Sequence, residues 1–377
     1  MPVFRRLFPL LLFAATLPGC ARGLHLEPAA VSSACTAVVS DVARPHAQGP
    51  RRPHVRWLRP ADEGDRRAHD EQCAAIGPAL VLDRTARVTP AIRTFSQPTL
   101  AIAVWNQHAG RGQLRRLVAD IRAGVDGTAP PRDFVVLVQE AYRERSRGSR
   151  AEAGVRATPA AARDHDDLRE DVPDVAREFG LYLFYVPTTV EDPDGAPRGD
   201  RGNAILSTRP LTNREVVELP FERQRRVAIA ATVHAGPEAV RVVDVHFENR
   251  AGSRGWWLRS ASARARQAAA LVRALPDRGT LVLGGDLNTW SPGEAILDVL
   301  RTRVTTWAVE DVRPTFHYGL RLDYLLGRLP DHAVVTQRRL DDRYGSDHYP
   351  LVGTIRWPGM ADHSPAVASA GPSRGVL

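Results

Sequence analysis

Leu281-Val282-Leu283-Gly284-Gly285-Asp286-Leu287-Asn288-Thr289 is the stretch on which the reading of the fold turns. A short run of apolar β-formers leads into two glycines, and an acid and an amide follow two residues apart. This reads as a buried strand that delivers polar groups at its tip. The glycines let a backbone or a ligand come close, and Asp286 and Asn288, two apart in an extended segment, are expected on one side of it. Alone, the pattern also fits an ordinary turn, since Asp and Asn cap turns and helices and Ser291-Pro292 has the form of a helix start. The rest of the chain decides between these readings.

Working outward, short β-rich runs alternate with helical segments from Thr99 onward. Strands are expected over residues 100–105, 134–138, 181–186, 204–206, 215–219, 226–233, 240–245, 322–326, 333–337 and 349–355. Helices are expected over 113–122, 172–179, 255–275 and 294–300. Many strands with helices interleaved predict two stacked sheets covered by helices on the outside. Residues 143–167 are polar, rich in Arg and Ala and without apolar spacing, so they read as an exposed insertion. Residues from 358 onward, with Ser, Gly, Pro and Ala, read as a flexible tail.

The 377-residue chain is 43% hydrophobic, enough for a sizeable core. Its net charge is +8 with no lysine, so every basic group other than histidine is an arginine. Guanidinium groups stay charged and fork onto phosphate oxygens, which permits a polyanionic substrate without requiring one. At the N-terminus, Arg5-Arg6 precede an apolar run from Leu7 to Leu17, broken by Pro9 and too short to span a bilayer. Residues 1–20 thus read as an export signal, and Leu17-Pro18-Gly19-Cys20 resembles the cleavage box of bacterial lipoproteins, in which the cysteine is lipidated. Pro18 is unusual there, so ordinary secretory cleavage is the alternative. Either way the expected address is the periplasm, the cell envelope or the exterior. With Cys20 lipidated, Cys35 and Cys73 remain, and an even pair in an exported protein is most simply a disulfide. Closing that loop would remove chain entropy worth roughly 4 kcal/mol. Residues 21–97, poorly periodic and rich in Arg, Pro and Asp, read as an N-terminal extension around this bridge, with 51–54 and 62–65 as solvated loops. A catalytic domain is then expected over 98–357.

Nearly every strand of that domain ends in a residue able to bind a metal or handle a phosphate. Trp105-Asn106, Gln139-Glu140, Gly202-Asn203-Ala204-Ile205-Leu206-Ser207, His246, Gly285-Asp286-Leu287-Asn288-Thr289, Arg321-Leu322-Asp323-Tyr324 and Ser346-Asp347-His348 follow one another in order. The set resembles the endonuclease/exonuclease/phosphatase superfamily, whose members include apurinic endonucleases, deoxyribonuclease I-like enzymes, neutral sphingomyelinases and inositol polyphosphate phosphatases. The resemblance implies an α+β, four-layer α/β/β/α sandwich of two stacked, mostly antiparallel sheets flanked by helices. It also implies a metal-dependent hydrolysis of phosphoester bonds by water attack.

By the same resemblance Glu140 is the metal-binding glutamate, with Asn106 and Asp347 as further oxygen donors. Hard oxygen ligands suit Mg²⁺, or Mn²⁺, better than zinc. Asp286 would orient or deprotonate the attacking water and Asn288 would donate to the phosphate. His348, positioned by Asp323, would stabilise phosphoryl charge, and His246 would protonate or hydrogen-bond the leaving group. Asn203 and Asn249 are candidates for lining the cleft and reaching a phosphate oxygen. His108 stands where certain relatives carry an acid. The expected substrate is nucleic acid, cleaved internally by a monomer. The Arg-rich insertion offers phosphate contacts, and Trp256-Trp257 and Phe316-His317-Tyr318 offer aromatic surface. A phospholipid or small phosphoester is the alternative. An inactive surface protein that binds polyanions is the alternative of another class, but such a binder has no need of the whole polar set.

Overall fold

The computed structural model describes residues 24–29, 36–40, 53–83, 99–144, 169–191, 199–235, 238–251, 256–307 and 311–358. Two eight-stranded sheets form its frame. The first contains β1 (Leu26–Pro28), β3 (Val55–Pro60), β9 (Thr212–Glu218), β10 (Val227–Ala235), β11 (Glu238–His246), β12 (Thr280–Asp286), β13 (Thr305–Thr306) and β14 (Asp323–Arg328), in the order β1-β3-β9-β10-β11-β12-β14-β13. The second contains β2 (Val38–Ser40), β4 (Ala79–Leu82), β5 (Thr99–Asn106), β6 (Asp133–Glu144), β7 (Tyr182–Glu191), β8 (Gly199–Ser207), β15 (Val334–Arg339) and β16 (Leu351–Arg356), in the order β15-β16-β5-β6-β8-β7-β4-β2. Most neighbours are antiparallel, but β11–β12 and β5–β6, central in their sheets, run parallel.

Alternation along the strands explains the layering. Leu100, Ile102 and Val104 of β5 face Val282 of β12 and Val240 and Val242 of β11 in the core between the sheets. The intervening Ala101, Ala103 and Trp105 face the other way, onto Leu114, Leu117, Val118 and Ile121 of α2 (Leu114–Ala123) and Val172 and Val175 of α3 (Val172–Glu178). On the first sheet, Val243, Val245, Leu281 and Leu283 pack under Ala268 and Leu271 of α4 (Trp256–Ala274) and Ile296, Leu297 and Leu300 of α5 (Ala295–Arg301). Strands buried on both faces read as continuous apolar runs, which is why they stand out in the sequence. The result is the expected helix, sheet, sheet, helix sandwich.

The glycines of the opening stretch serve two different contacts. A Cβ on Gly284 would lie 2.4 Å from Val104 Cγ2 across the sheets, and one on Gly285 would lie 1.8 Å from Val245 O on the adjacent strand. Both neighbours approach closer than any side chain allows.

The segment before residue 98 departs from expectation. Its described parts are no appendage: β1 and β3 extend the first sheet through a parallel pairing of β3 with β9, and β2 and β4 extend the second through β7. Asp62-Glu63-Gly64-Asp65 is not a loop but a helix start. Asp62 is the N-cap of α1 (Glu63–Cys73), its side chain accepting the Asp65 N–H. Cys73 is buried at the end of α1 and disulfide-bonded; its expected partner, Cys35, lies outside the described residues. Also outside them lie the export signal with Cys20, Arg51-Arg52, the insertion beyond Glu144 and the tail beyond Pro358, as do the side chains of Trp256 and Trp257. Arg143, at the edge of the insertion, belongs to β6 and is clamped on Asp200 by contacts of 2.9 and 2.6 Å. Among the described residues no helix is long and apolar enough to cross a membrane.

Candidate active site

The parallel pairs β5–β6 and β11–β12 bring their carboxyl ends together. Asn106, last in β5, donates from Nδ2 to Asp286 Oδ2, last in β12, at 3.0 Å, so the sheets are tied at this point. Within the first sheet His246, Asp286 and Asp323 are register partners across β11, β12 and β14. His348 approaches from the segment before β16, its Nδ1 2.7 Å from Asp323 Oδ2 and its Nε2 3.9 Å from Asp286 Oδ2. His246 Nε2 lies 3.4 Å from the same Asp286 oxygen. All four side chains are buried.

Burial and neighbouring charge shift three of them, Asp286, His348 and His246. Burial pushes the Asp286 carboxyl up to about 7, against the pull of the His348 charge and with the help of Asp323. A carboxylate with that pKa suits proton abstraction near neutrality. For His348 burial alone would lower the pKa, but the charge and hydrogen bond of Asp323, backed by Asp286 and Asp347, lift it to about 10. It is therefore a fixed cation at neutral pH. His246 is driven well below its usual range by burial, with the guanidinium groups of Arg226 and Arg201 and the His348 charge adding to the effect. A neutral His246 can hydrogen-bond a leaving group but is a poor store of the proton it would donate.

The backbone around these groups is specialised. Asn288 does not continue the strand as expected: it has φ +52°, its N–H returns to Asp286 Oδ1 at 2.9 Å, and its Nδ2 donates to Phe247 O at 3.0 Å. The pair is an Asx-type turn, and one amide hydrogen of Asn288 remains for another acceptor. Glu140 is not at a strand end either. It lies within β6, at φ +52°, where the register against β8 shifts between Val138 and Ala141. A bulge turns a side chain out of the alternation, and here it is the carboxylate that is re-aimed. Glu140 Oε2 meets Arg201 NH1 at 2.7 Å, and Arg201 Nε is held in turn by Glu191 at 2.8 Å.

Asp347 is partly exposed, with Oδ1 3.6 Å from His108 Nδ1 and 4.0 Å from His348 Nε2. Asn106 Oδ1 accepts the His108 N–H at 2.9 Å while its Nδ2 is given to Asp286, which leaves one lone pair of the amide oxygen for a further partner. Asn203 is buried in β8, donating to Val227 O at 3.3 Å, and Asn249 is exposed in the turn after β11. Neither side chain hydrogen-bonds to His246, Asp286, Asp323 or His348. Contributors the sequence did not reveal are Arg201, Arg226 and Thr315, whose Oγ1 accepts from the N–H groups of Leu322 and Asp323 at 3.0 and 2.9 Å. Beneath the row, Gln139 Nε2 donates to Asp244 Oδ1 at 2.5 Å and forms a second cross-sheet link.

Asp286, Asp323 and His348 offer ligand atoms within 4.8 Å of one another, compact enough for a metal ion. The Asp323–His348 hydrogen bond, however, leaves no space for an ion between those two side chains. Glu140 and Asp347 are less buried, hard oxygen donors of the kind a divalent cation takes, and Glu140 Oε1 has no hydrogen-bond partner among the described residues.

Residues 103–348 match the family model described as Endonuclease/Exonuclease/phosphatase family. Among solved structures, an endonuclease/exonuclease/phosphatase from Beutenbergia cavernae DSM 12333 is 22% identical with a TM-score of 0.51, over 70% of this chain and 73% of that one. The 3' phosphatase NExo from Neisseria, bound to a product DNA hairpin, is 20% identical with a TM-score of 0.43, over 68% of this chain and 99% of that one. Sphingomyelinase C from Streptomyces griseocarneus is 19% identical with a TM-score of 0.38, over 68% and 99%. No curated protein matches the chain.

Proposed function

The chain belongs to the endonuclease/exonuclease/phosphatase family of phosphoester hydrolases, and on that premise we propose that it is a divalent-metal-dependent phosphodiesterase that cuts nucleic acid internally. The observation that carries the reading is the row His246–Asp286–Asp323, closed by His348 and tied to the other sheet by Asn106. Glu140 and Asp347 would hold the Mg²⁺ or Mn²⁺ ion, which when bound neutralises phosphoryl charge and polarises the ester.

This chain's residues divide the remaining work. Asp286, held by two N–H donors and titrating near neutrality, takes the proton of the attacking water. His348, kept cationic by Asp323, faces the developing negative charge. Asn288 gives its remaining amide hydrogen to a phosphoryl oxygen. Neutral His246 hydrogen-bonds the departing oxygen.

Support for nucleic acid comes from the rim. Phe316 packs on His348 with ring centroids 4.9 Å apart, and His317 and Tyr318 lie against each other at 3.7 Å with their planes tilted by 40°. Tyr318 is 78% exposed. Flat rings beside the reacting centre suit a base, and the net charge of +8 suits its backbone. Export of the enzyme, with Cys20 as lipidated first residue, is part of the same proposal, and mass spectrometry of the mature N-terminus would test it.

Turnover of bis-p-nitrophenyl phosphate with and without Mg²⁺, followed by plasmid DNA and sphingomyelin vesicles at low salt, tests the function. Metal-dependent ester cleavage with DNA nicking is expected. Lipid hydrolysis without DNA cleavage would remove the nuclease assignment, and no metal-dependent turnover of any ester would favour a polyanion binder.

A further inference from the structure

The turn from β9 into β10, residues 219–226, is fastened from several sides. His69 Nε2 lies 2.8 Å from Leu219 O, Gln267 Nε2 donates to Pro220 O at 3.1 Å, and Arg266 NH2 donates to Phe221 O at 2.9 Å. The Arg225 N–H donates to Gln72 Oε1 at 2.6 Å, and the Leu219 N–H closes the turn on Arg226 O at 3.0 Å. Arg225 is a buried pillar, with NH2 2.9 Å from Glu218 Oε1 and NH1 2.6 Å from Pro187 O, while Arg59 takes the other Glu218 oxygen at 2.6 Å. Helices α1 and α4 hold this turn directly and Arg59 of β3 holds Glu218 just before it, although none of the residues assigned to catalysis lies in it.

Its last residue, Arg226, is 5% exposed. Among the described residues no carboxylate comes within ion-pair distance of it; the oxygen of the Gln224 amide, once that amide is turned over, accepts from Nε and one NH2. The pairing of Ala228 with Val245 sets Arg226, just before β10, at the His246 end of β11, and the acids whose charge acts on it most are Glu248, Glu140 and Asp286. A buried guanidinium without a paired carboxylate is costly to keep unless an anion completes it.

We propose that Arg226 is a substrate-binding residue, gripping a phosphoryl oxygen of the ester beside Glu140 and Asp286, and that His69, Gln72 and Arg225 are positioning residues that present it. The inference rests on the phosphoesterase reading above. It gives the segment before residue 98 a task at the site, since α1 supplies two of the fastenings.

Calorimetric titration of the Mg²⁺-loaded full chain with inorganic phosphate tests it. Arg226→Gln is expected to raise the phosphate Kd and the KM for bis-p-nitrophenyl phosphate by roughly tenfold or more, leaving Mg²⁺ affinity within about twofold. Arg226→Lys, which keeps the charge without the fork, should recover part of the loss, and Gln72→Leu should give a smaller rise in phosphate Kd with kcat retained. A folded Arg226→Gln protein that binds phosphate like the wild type overturns the proposal, as does an equal loss of Mg²⁺ affinity, which would mean a general disturbance. Should the Gln variant not fold, Arg226→Lys decides, because unchanged phosphate Kd and KM would likewise overturn it. A wild-type protein that neither binds phosphate nor turns over an ester sinks the phosphoesterase reading instead, so the two failures are distinct.

Discussion

Asp286 is pulled in two directions: burial favours its neutral form, while the Asn106 and Asn288 donors and the His348 cation favour its charge. Asp286→Asn should lower kcat by roughly 10²–10⁴. Because the folded pKa of about 7 lies above the ordinary carboxyl value of 3.8, this group's contribution to stability is full below about pH 4 and lost as pH rises through 7. The metal-free Asn variant should therefore melt above the wild type at pH 8, which differential scanning calorimetry in EDTA would show. His348 titrates by the same sign. Lifted from 6.5 to about 10, its contribution is full below pH 6.5 and lost toward pH 10, so Tm should fall over that interval. Asp323→Asn should flatten the fall and bring the His348 ring titration down by NMR. These residues were legible in the sequence because short motifs of unlike polar types followed a set order. Arg201 and Arg226 were not, because in a chain whose only fixed cation is arginine, two more arginines carry no local signal and only tertiary proximity singles them out.

Among the elements, β12 tolerates little change. Gly285→Ala puts a methyl group where Val245 O already lies, forcing β11 and β12 apart beside Asp286. A cost of roughly 2–4 kcal/mol and loss of turnover are expected. Gly279→Ala, at φ +88° with nothing within 4 Å of the added atom, should cost only about 1 kcal/mol of backbone strain and leave activity intact. Paired thermal melts with activity assays would separate the two. The same packing explains which elements could be read in advance. Strands β5 and β12, buried on both faces, announce themselves as apolar runs. Helix α1 does not, because of Glu63–Cys73 only His69 and Cys73 are buried and the rest is charged, polar or small. Strands β1 and β2 are three residues long, and β3 carries Arg56 and Arg59 in place of apolar alternation.

At the scale of the molecule, the early segment and the rest of the chain are one structure. A chain beginning at residue 99 would lack β1–β4, leave β7 and β9 as raw edges, and strip Glu218 of its Arg59 and His69 neighbours. It should be aggregated or without a cooperative melt, as size-exclusion chromatography and circular dichroism would report. The bond from Asn106 to Asp286 joins residues 180 positions apart that belong to different sheets. Each half of the sandwich can therefore gain its hydrogen-bonded ladder while the reacting groups are still strangers to one another. During refolding from denaturant, far-ultraviolet ellipticity should return first and hydrolysis only when the halves dock, making the enzyme's own rate a clock for that last step.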